Sequence, residues 1–190
     1  MKALYDQVCY ECSELVTKRY STSFSLATRM LSKDIRAHIY NIYGFVRFAD
    51  EIVDSFHDYP KEKLFNRFAE DLEAALEEQI SLNPILNAFQ HTYHRFGISK
   101  DLVDAFMNSM RLDLHKTEYL TTEEYKAYIY GSADVVGLMC LKVFLGGGQP
   151  AYEGLKTSAM SLGSAFQKVR WESTINLSQL NLTRIHLIRL

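Results

Sequence analysis

The sequence predicts an all-α protein, and three observations carry that prediction. Apolar residues recur three or four apart through most of the chain, as they do on one face of a helix. Only three prolines and nine glycines interrupt the 190 residues. No two alternating apolar runs are joined by hairpin-type turn residues, and no repeat or low-complexity segment occurs. The expected architecture is a single domain of about seven or eight helices around a substantial core.

Composition narrows the function classes. Apolar residues make up 47% and charged residues 23%, an ordinary balance for a globular chain. Lys plus Arg (21) against Asp plus Glu (23) leaves −2, so no global basic field recruits nucleic acid. Twelve Tyr and eleven Phe imply either a large core or a large apolar pocket. No run of about 18 apolar residues exists, so no spanning helix is expected. The first residues, MKALYDQVCYECSELV, place acids inside any apolar stretch and carry no cleavage pattern, so a cytoplasmic compartment with reduced thiols is expected.

The elements follow in order. Residues 3–19 read as an amphipathic helix on Leu4, Val8, Leu15 and Val16. Its Cys9 and Cys12 form a CxxC, but with no second pair and no βαβ context they are two helix-face thiols rather than a redox or zinc site. Tyr20-Ser-Thr-Ser-Phe-Ser25 reads as a hydroxyl-rich break that caps the next helix or offers hydroxyls to an anion. Ser32 is the expected N-cap of a helix over 35–57, with Asp34 in its first turn.

That helix is the one the chain is organised around. Ile35, Ile39, Ile42, Val46, Ala49 and Val53 form its apolar stripe. Beside them Tyr43, Arg47, Asp50 and Asp54 stack on a second face. Two carboxylates one turn apart repel unless a cation lies between them. Oxygen-only ligands of this kind suit Mg²⁺, which is usually held by one or two carboxylates plus substrate phosphates. The plainer alternative is a solvated acidic face, Asp50, Glu51 and Asp54, with Arg47 as a local ion-pair partner.

Pro60 suits the first turn of a helix over 61–80, and Asn83-Pro84 starts another that stops at Gly97. His91 and His94 lack a third partner and read as non-ligands. A helix over 99–116 follows. Thr121-Thr-Glu-Glu124 fits a capping box opening a long apolar helix over 123–145. Its mid-helix Gly131, Ser132, Ala133 and Gly137 are costly small residues that let a helix or a ligand approach the backbone. Tyr125, Tyr128 and Tyr130 add hydroxyls to that wall. Gly146-Gly-Gly148 ends it without the spacing of a P-loop, and Pro150 begins a last helix to about Val169.

On these residues the chain resembles the squalene/phytoene synthase family, most like its bacterial phytoene synthases. The resemblance lies in Ser21-Thr-Ser-Phe24, Tyr43-Gly-Phe-Val-Arg47-Phe-Ala-Asp50-Glu-Ile-Val-Asp54, Asp113 to Tyr119, the block from Tyr128 to Gly137, and Leu162-Gly-Ser-Ala-Phe-Gln167. It implies an isoprenoid-synthase-type helical bundle around a central apolar cavity. It also implies head-to-head condensation of two geranylgeranyl diphosphates with loss of diphosphate, as in carotenoid biosynthesis. Mg²⁺ on Asp50 and Asp54 would grip the leaving group, with Arg47 and Tyr43 beside it. Ser21, Ser23 and Phe24 would contact substrate, and Tyr128, Ser132, Ala133, Val136, Gly137 and Gln167 would line the cavity. Squalene or dehydrosqualene synthesis is the near alternative, squalene synthesis needing a nicotinamide reductant besides. Greasy substrates imply peripheral membrane contact.

The resemblance stops after about Val169. Counting on from Gln167, the family's second aspartate motif falls on Arg170, Thr174 and Ser178, and no aspartate follows Asp134. The expectation is therefore a family domain over 1–169, truncated or altered at its C-terminus, with 170–190 a tail of neither clean helical nor strand periodicity. Half of the metal site would be missing, leaving an impaired or inactive synthase, or a non-catalytic binder of prenyl lipids or a partner.

Overall fold

The computed structural model describes residues 1–115 and 121–175, the side chains of 149–150 and 166–175 excepted. Its elements are α1 (Lys2–Tyr20), α2 (Thr22–Thr28), α3 (Lys33–Asp54), α4 (Lys61–Glu78), α5 (Pro84–Phe96) and α6 (Lys100–Asp113). After them come α7 (Thr122–Ile129), a π-helical turn (Tyr130–Asp134), α8 (Val135–Phe144) and α9 (Gln149–Ile175). No strand occurs among the described residues. Counting α7, the π turn and α8 as one rod gives eight helices among the described residues, within the seven or eight that the periodicity predicts.

Local chemistry sets most boundaries. Asn83 Oδ1 accepts from the backbone N–H groups of Ile85 (3.0 Å) and Leu86 (3.4 Å), and Pro84 occupies the first turn of α5. Gly97, at φ 58°, closes that helix, with Ile98 N donating to Tyr93 O at 3.0 Å. Thr121 caps α7 by accepting from Glu124 N at 3.1 Å. Gln79 ends α4 in the left-handed region (φ 59°), where glycine is usual. The buried Gln90 holds it there, donating to its carbonyl at 3.0 Å.

Several expectations need correcting. The hydroxyl-rich segment is itself a helix, α2, capped by Ser21. Ser32 sits at the cap position of α3 but its side chain makes no cap hydrogen bond. α3 ends at Asp54, three residues short of the predicted end. α9 continues to Ile175, past the helix end expected at about Val169. By length and composition alone Thr122–Phe144 also passes as a membrane-crossing helix, although no run of 18 apolar residues occurs in it. In this fold 67% of its most apolar window is buried, so it serves as a core helix.

α3 lies at the centre, with α1, α2, α4, α5, α6 and α8 all packed against it. Its Phe45 is wholly buried, stacked on Phe89 (4.0 Å between ring centroids) and edge-on to Phe106 (5.3 Å). Val135, Leu138 and Met139 of α8 close the same core. Much of the high aromatic content is therefore core.

Candidate functional site

The second half of α3 turns its polar stripe away from that core, toward the end of α1 and toward α2. Arg47 anchors it. Arg47 Nη1 donates to Asp50 Oδ2 at 2.8 Å, and Nη2 donates to the Glu51 carboxylate. These partners lie three and four residues on, within reach along one helix face. The guanidinium also lies 4.5 Å from the centre of the Tyr20 ring, a cation–π contact across α1 and α3.

Electrostatics follow from burial. Asp50 is only 2% exposed, and the Arg47 side chain is 14% exposed. Burial works against the Arg47 charge. The hydrogen bond that it donates to Glu51 and the charges of Asp50 and Glu51 outweigh it, holding the guanidinium protonated above its ordinary range. The alternative of a solvated acidic face is half right: the local ion pairs exist, but Asp50 is inside the protein. Asp54, one turn on, is half-buried at the end of the helix.

α2 supplies the flank. Ser21 Oγ accepts from Phe24 N at 3.3 Å, and the Phe24 ring stacks on Tyr43 (4.9 Å, 22° between planes). Ser23 is exposed. The structure thus brings Ser21, Phe24, Tyr43, Arg47 and Asp50 into one connected cluster, and adds Tyr20 and Glu51. Tyr20 was not identifiable as a contact from sequence, because a cation–π contact between helices leaves no trace in spacing. Glu51 was legible as an ion-pair partner of Arg47, four residues on along the same helix.

The wall over 128–137 does a different job. Tyr128 is buried and accepts at its backbone carbonyl from Ser132 Oγ (2.8 Å), so that hydroxyl is engaged within its own helix. The small residues serve close helix contacts. A Cβ on Gly131 would lie 2.8 Å from Ser109 Cβ on α6, and one on Gly137 2.6 Å from the Ala159 carbonyl of α9. One on Gly163 would lie 2.6 Å from the Ala133 carbonyl. Of the two approaches the sequence left open, these glycines admit a helix. Val136 is half-buried against the core, and Tyr130, expected on the wall, is exposed. Asp134, unassigned from sequence, is buried and accepts from Ser164 Oγ at 2.6 Å, tying the rod to α9. The Gln167 side chain lies outside the described residues, as do residues 116–119 of the matched block.

The donor set decides which metal could be held. Among the described residues no group of three or more His, Cys, Asp or Glu side chains could hold an ion. The pair Asp50 and Asp54 fits Mg²⁺ only in its usual mode, with phosphate oxygens of a substrate completing the shell.

Comparison with known proteins bears on the family and the fold. The family model described as squalene/phytoene synthase matches residues 17–171. Phytoene synthase 3 (chloroplastic) of Zea mays is 30% identical over 164 residues, covering 83% of this chain and 37% of that protein. The chloroplastic phytoene synthase of Daucus carota is 31% identical, covering 86% and 40%. The phytoene synthase of Arthrospira platensis is 29% identical, covering 70% and 43%. The chain therefore spans about two fifths of the length of these relatives. Among solved structures, a dehydrosqualene synthase in complex with ligand superposes with a TM-score of 0.77 at 22% identity, covering 94% of this chain and 62% of that one. The squalene synthase HpnC of Alicyclobacillus acidocaldarius gives 0.75 at 21%, covering 93% and 66%. These two share the all-α fold.

Proposed function

The chain belongs to the squalene/phytoene synthase family, and from that premise we propose that it is a prenyl transferase of the head-to-head type. Its substrates would be two geranylgeranyl diphosphates, with diphosphate lost at each ionisation. The observation that carries this reading is the Asp50–Arg47–Glu51 cluster, with Asp50 buried, Arg47 and Glu51 half-buried and Asp54 one turn on, an arrangement suited to a diphosphate and its counter-cation. Bound Mg²⁺, held by Asp50 and Asp54, would neutralise charge developing on the leaving diphosphate. Arg47 adds a fixed cation whose direction is set by two acids and a tyrosine ring. Tyr43 and Phe24 present stacked aromatic faces beside it, the kind of surface that steadies a carbocation and excludes water.

Turnover in this chain is proposed to be impaired. Thr174 and Ser178 stand where the family pattern carries aspartates, and Arg170 where it carries an asparagine, so a second carboxylate pair is lacking there. That observation also favours a second reading, a binder of prenyl diphosphates without chemistry. Squalene or dehydrosqualene synthesis differs only in chain length and reductant. We place the chain in the cytoplasm with peripheral membrane contact.

The test pairs binding with turnover. The chain and an Asp50→Asn, Asp54→Asn variant are titrated with the thiolodiphosphate analogue of geranylgeranyl diphosphate, with and without Mg²⁺. Both are then incubated with geranylgeranyl diphosphate while diphosphate and C40 hydrocarbon are measured. Mg²⁺-dependent binding that weakens roughly tenfold or more in the variant supports the site. Slow C40 formation alongside it supports the transferase, and binding alone supports the second reading. Affinity unchanged by Mg²⁺ and by the variant would sink both.

A further inference from the structure

The last turn of α3 is built against the electrostatics of its own end. A helix C-terminus leaves its final carbonyls without intrahelical partners and carries partial negative charge, which cations there offset. The last four residues of α3 are Glu51, Ile52, Val53 and Asp54, two acids and no base. Ser55 N–H reaches Glu51 O at 3.0 Å. The His57 N–H, which would continue that ladder to Val53 O, turns to Ser55 O instead, also at 3.0 Å. Val53 O is therefore left for a partner from outside the helix.

Lys61, in the first turn of α4, is that partner. Its Nζ donates to Val53 O at 2.6 Å and lies 3.4 Å from His57 Nδ1. A cation in the first turn opposes the dipole of its own helix, so Lys61 is badly placed for α4 and well placed for α3. Both ends of the contact are anchored. Val53 is 1% exposed in the core, and the Lys61 N–H donates to Tyr59 O at 2.8 Å across Pro60. The Val53 carbonyl belongs to the planar peptide unit that also holds the Asp54 nitrogen, so orienting one orients the other.

We infer that Lys61 is a positioning residue for Asp54. It holds the final peptide of α3 in place and offsets the negative charge at that end, and so fixes where the Asp54 carboxylate stands. Asp50, one turn earlier, needs no such help, because it is buried and bonded to Arg47 Nη1 at 2.8 Å. Lys61 thus acts on one member of the carboxylate pair and leaves the other to Arg47. The inference rests on the reading of Asp54 as a carboxylate that meets Mg²⁺; the contact with Val53 does not.

The experiment compares Lys61→Met, which keeps the stem and removes the donor, with Lys61→Arg and with Lys63→Met, a change at an exposed lysine two residues on. Each chain is titrated with the thiolodiphosphate analogue of geranylgeranyl diphosphate at increasing Mg²⁺. Hydrogen exchange at the Ser55 amide is followed separately, without ligand or metal. Lys61→Met should raise the Mg²⁺ concentration for half-maximal binding roughly tenfold, the lower end for a group that supports a metal ligand. Binding without Mg²⁺ should not change. Ser55 exchange should speed up while that of Val46, deeper in α3, stays slow. Lys61→Arg should recover most of the loss, and Lys63→Met should match the parent. In an Asp54→Asn background Lys61→Met should add nothing to the Mg²⁺ shift, which a merely structural role would not predict. Circular dichroism checks folding, and Lys61→Gln replaces Lys61→Met if that chain does not fold. A half-point unmoved in Lys61→Met, or moved equally in Lys63→Met or in the Asp54→Asn background, would overturn the inference. So would a Lys61→Arg chain no better than Lys61→Met, or Ser55 exchange left as slow as in the parent. A parent whose binding ignores Mg²⁺ would sink the reading of the site and this role with it. A Mg²⁺-dependent parent beside an unmoved Lys61→Met would sink the role alone.

Discussion

α3 meets two unlike neighbourhoods along its length. Its first half packs on α1 and α5 through buried polar groups: His38, Asn41, Ser13, Thr17, Asn87 and Thr92, all 3% exposed or less. Its second half packs on α6 and α8 through rings and branched side chains, with Phe45, Ala49 and Val53 inside. The apolar contact is non-directional and supplies most of the burial energy. The polar contact is directional. Thr92 donates its one hydroxyl proton to the Ala88 carbonyl (3.3 Å), so its lone pairs accept from Asn41 Nδ2 (3.0 Å) and from the Nδ1–H of His38 (2.9 Å). Such an arrangement tolerates one register of α3 against α5, which is how the polar stripe beyond Tyr43 comes to face α2.

The largest effect should come from the apolar side. Phe45→Ala removes the ring that stacks on Phe89 and meets Phe106, and should cost about 3–5 kcal/mol. Urea unfolding measures it. A cost under about 1 kcal/mol would mean the aromatic core is not where the stability lies.

On the polar side, Thr92→Val keeps the shape but leaves the His38 and Asn41 donors without their acceptor. Two buried unsatisfied groups should cost roughly 2–4 kcal/mol. If the interface sets register, the variant should also weaken binding at the Arg47 cluster, which Thr92 does not touch. A stability loss with analogue affinity unchanged would reduce this interface to ordinary packing.

pH reads the same contact more gently. Burial, with Arg95 and His91 adding to it, pushes the His38 imidazole down to about 4 from its usual 6.5. Above about pH 6.5 it is neutral in both states and contributes no pH dependence. As pH falls from there toward 4, the unfolded chain takes up a proton that the folded chain refuses. Stability should therefore fall across that window, by up to about 3 kcal/mol, and level off below it. The difference between the parent and His38→Gln in urea midpoint against pH isolates this from the carboxylates. Parallel curves would show that His38 is not held neutral.

The contrast also explains what was legible in the sequence. The apolar stripe of α3, both ends of α5 and the face carrying Tyr43, Arg47, Asp50 and Asp54 all follow from spacing and local capping, which act within a few residues. α2 was not legible, because Thr22-Ser-Phe-Ser25 are weak helix formers held by the Ser21 cap and the Phe24–Tyr43 stack. The π turn at Tyr130–Asp134 was equally hidden, since nothing in period distinguishes one extra residue in a helix. At the site, the intrahelical pairs were readable and the Tyr20 contact was not, as it depends on where α1 ends in space. The polar seam was hidden for the reason it works: its partners are His, Asn and Thr from distant segments, which carry no hydrophobic period.

The smallest effect tests the helix that belongs to both neighbourhoods. α5 carries Thr92 on the polar side and Phe89 on the apolar side, so its own stability is shared between them. Asn83→Ala removes the acceptor for two N–H groups at its start and should cost about 1 kcal/mol. Because Pro84 already lacks an N–H and fixes its own φ, the first turn should persist and the loss should stay local. Hydrogen exchange at Ile85 and Leu86 would then speed up while that at Phe89 and Thr92 stays slow. Faster exchange along the whole helix would mean that α5 is held by its cap rather than by its two faces, and the division between the seam and the core would lose its meaning.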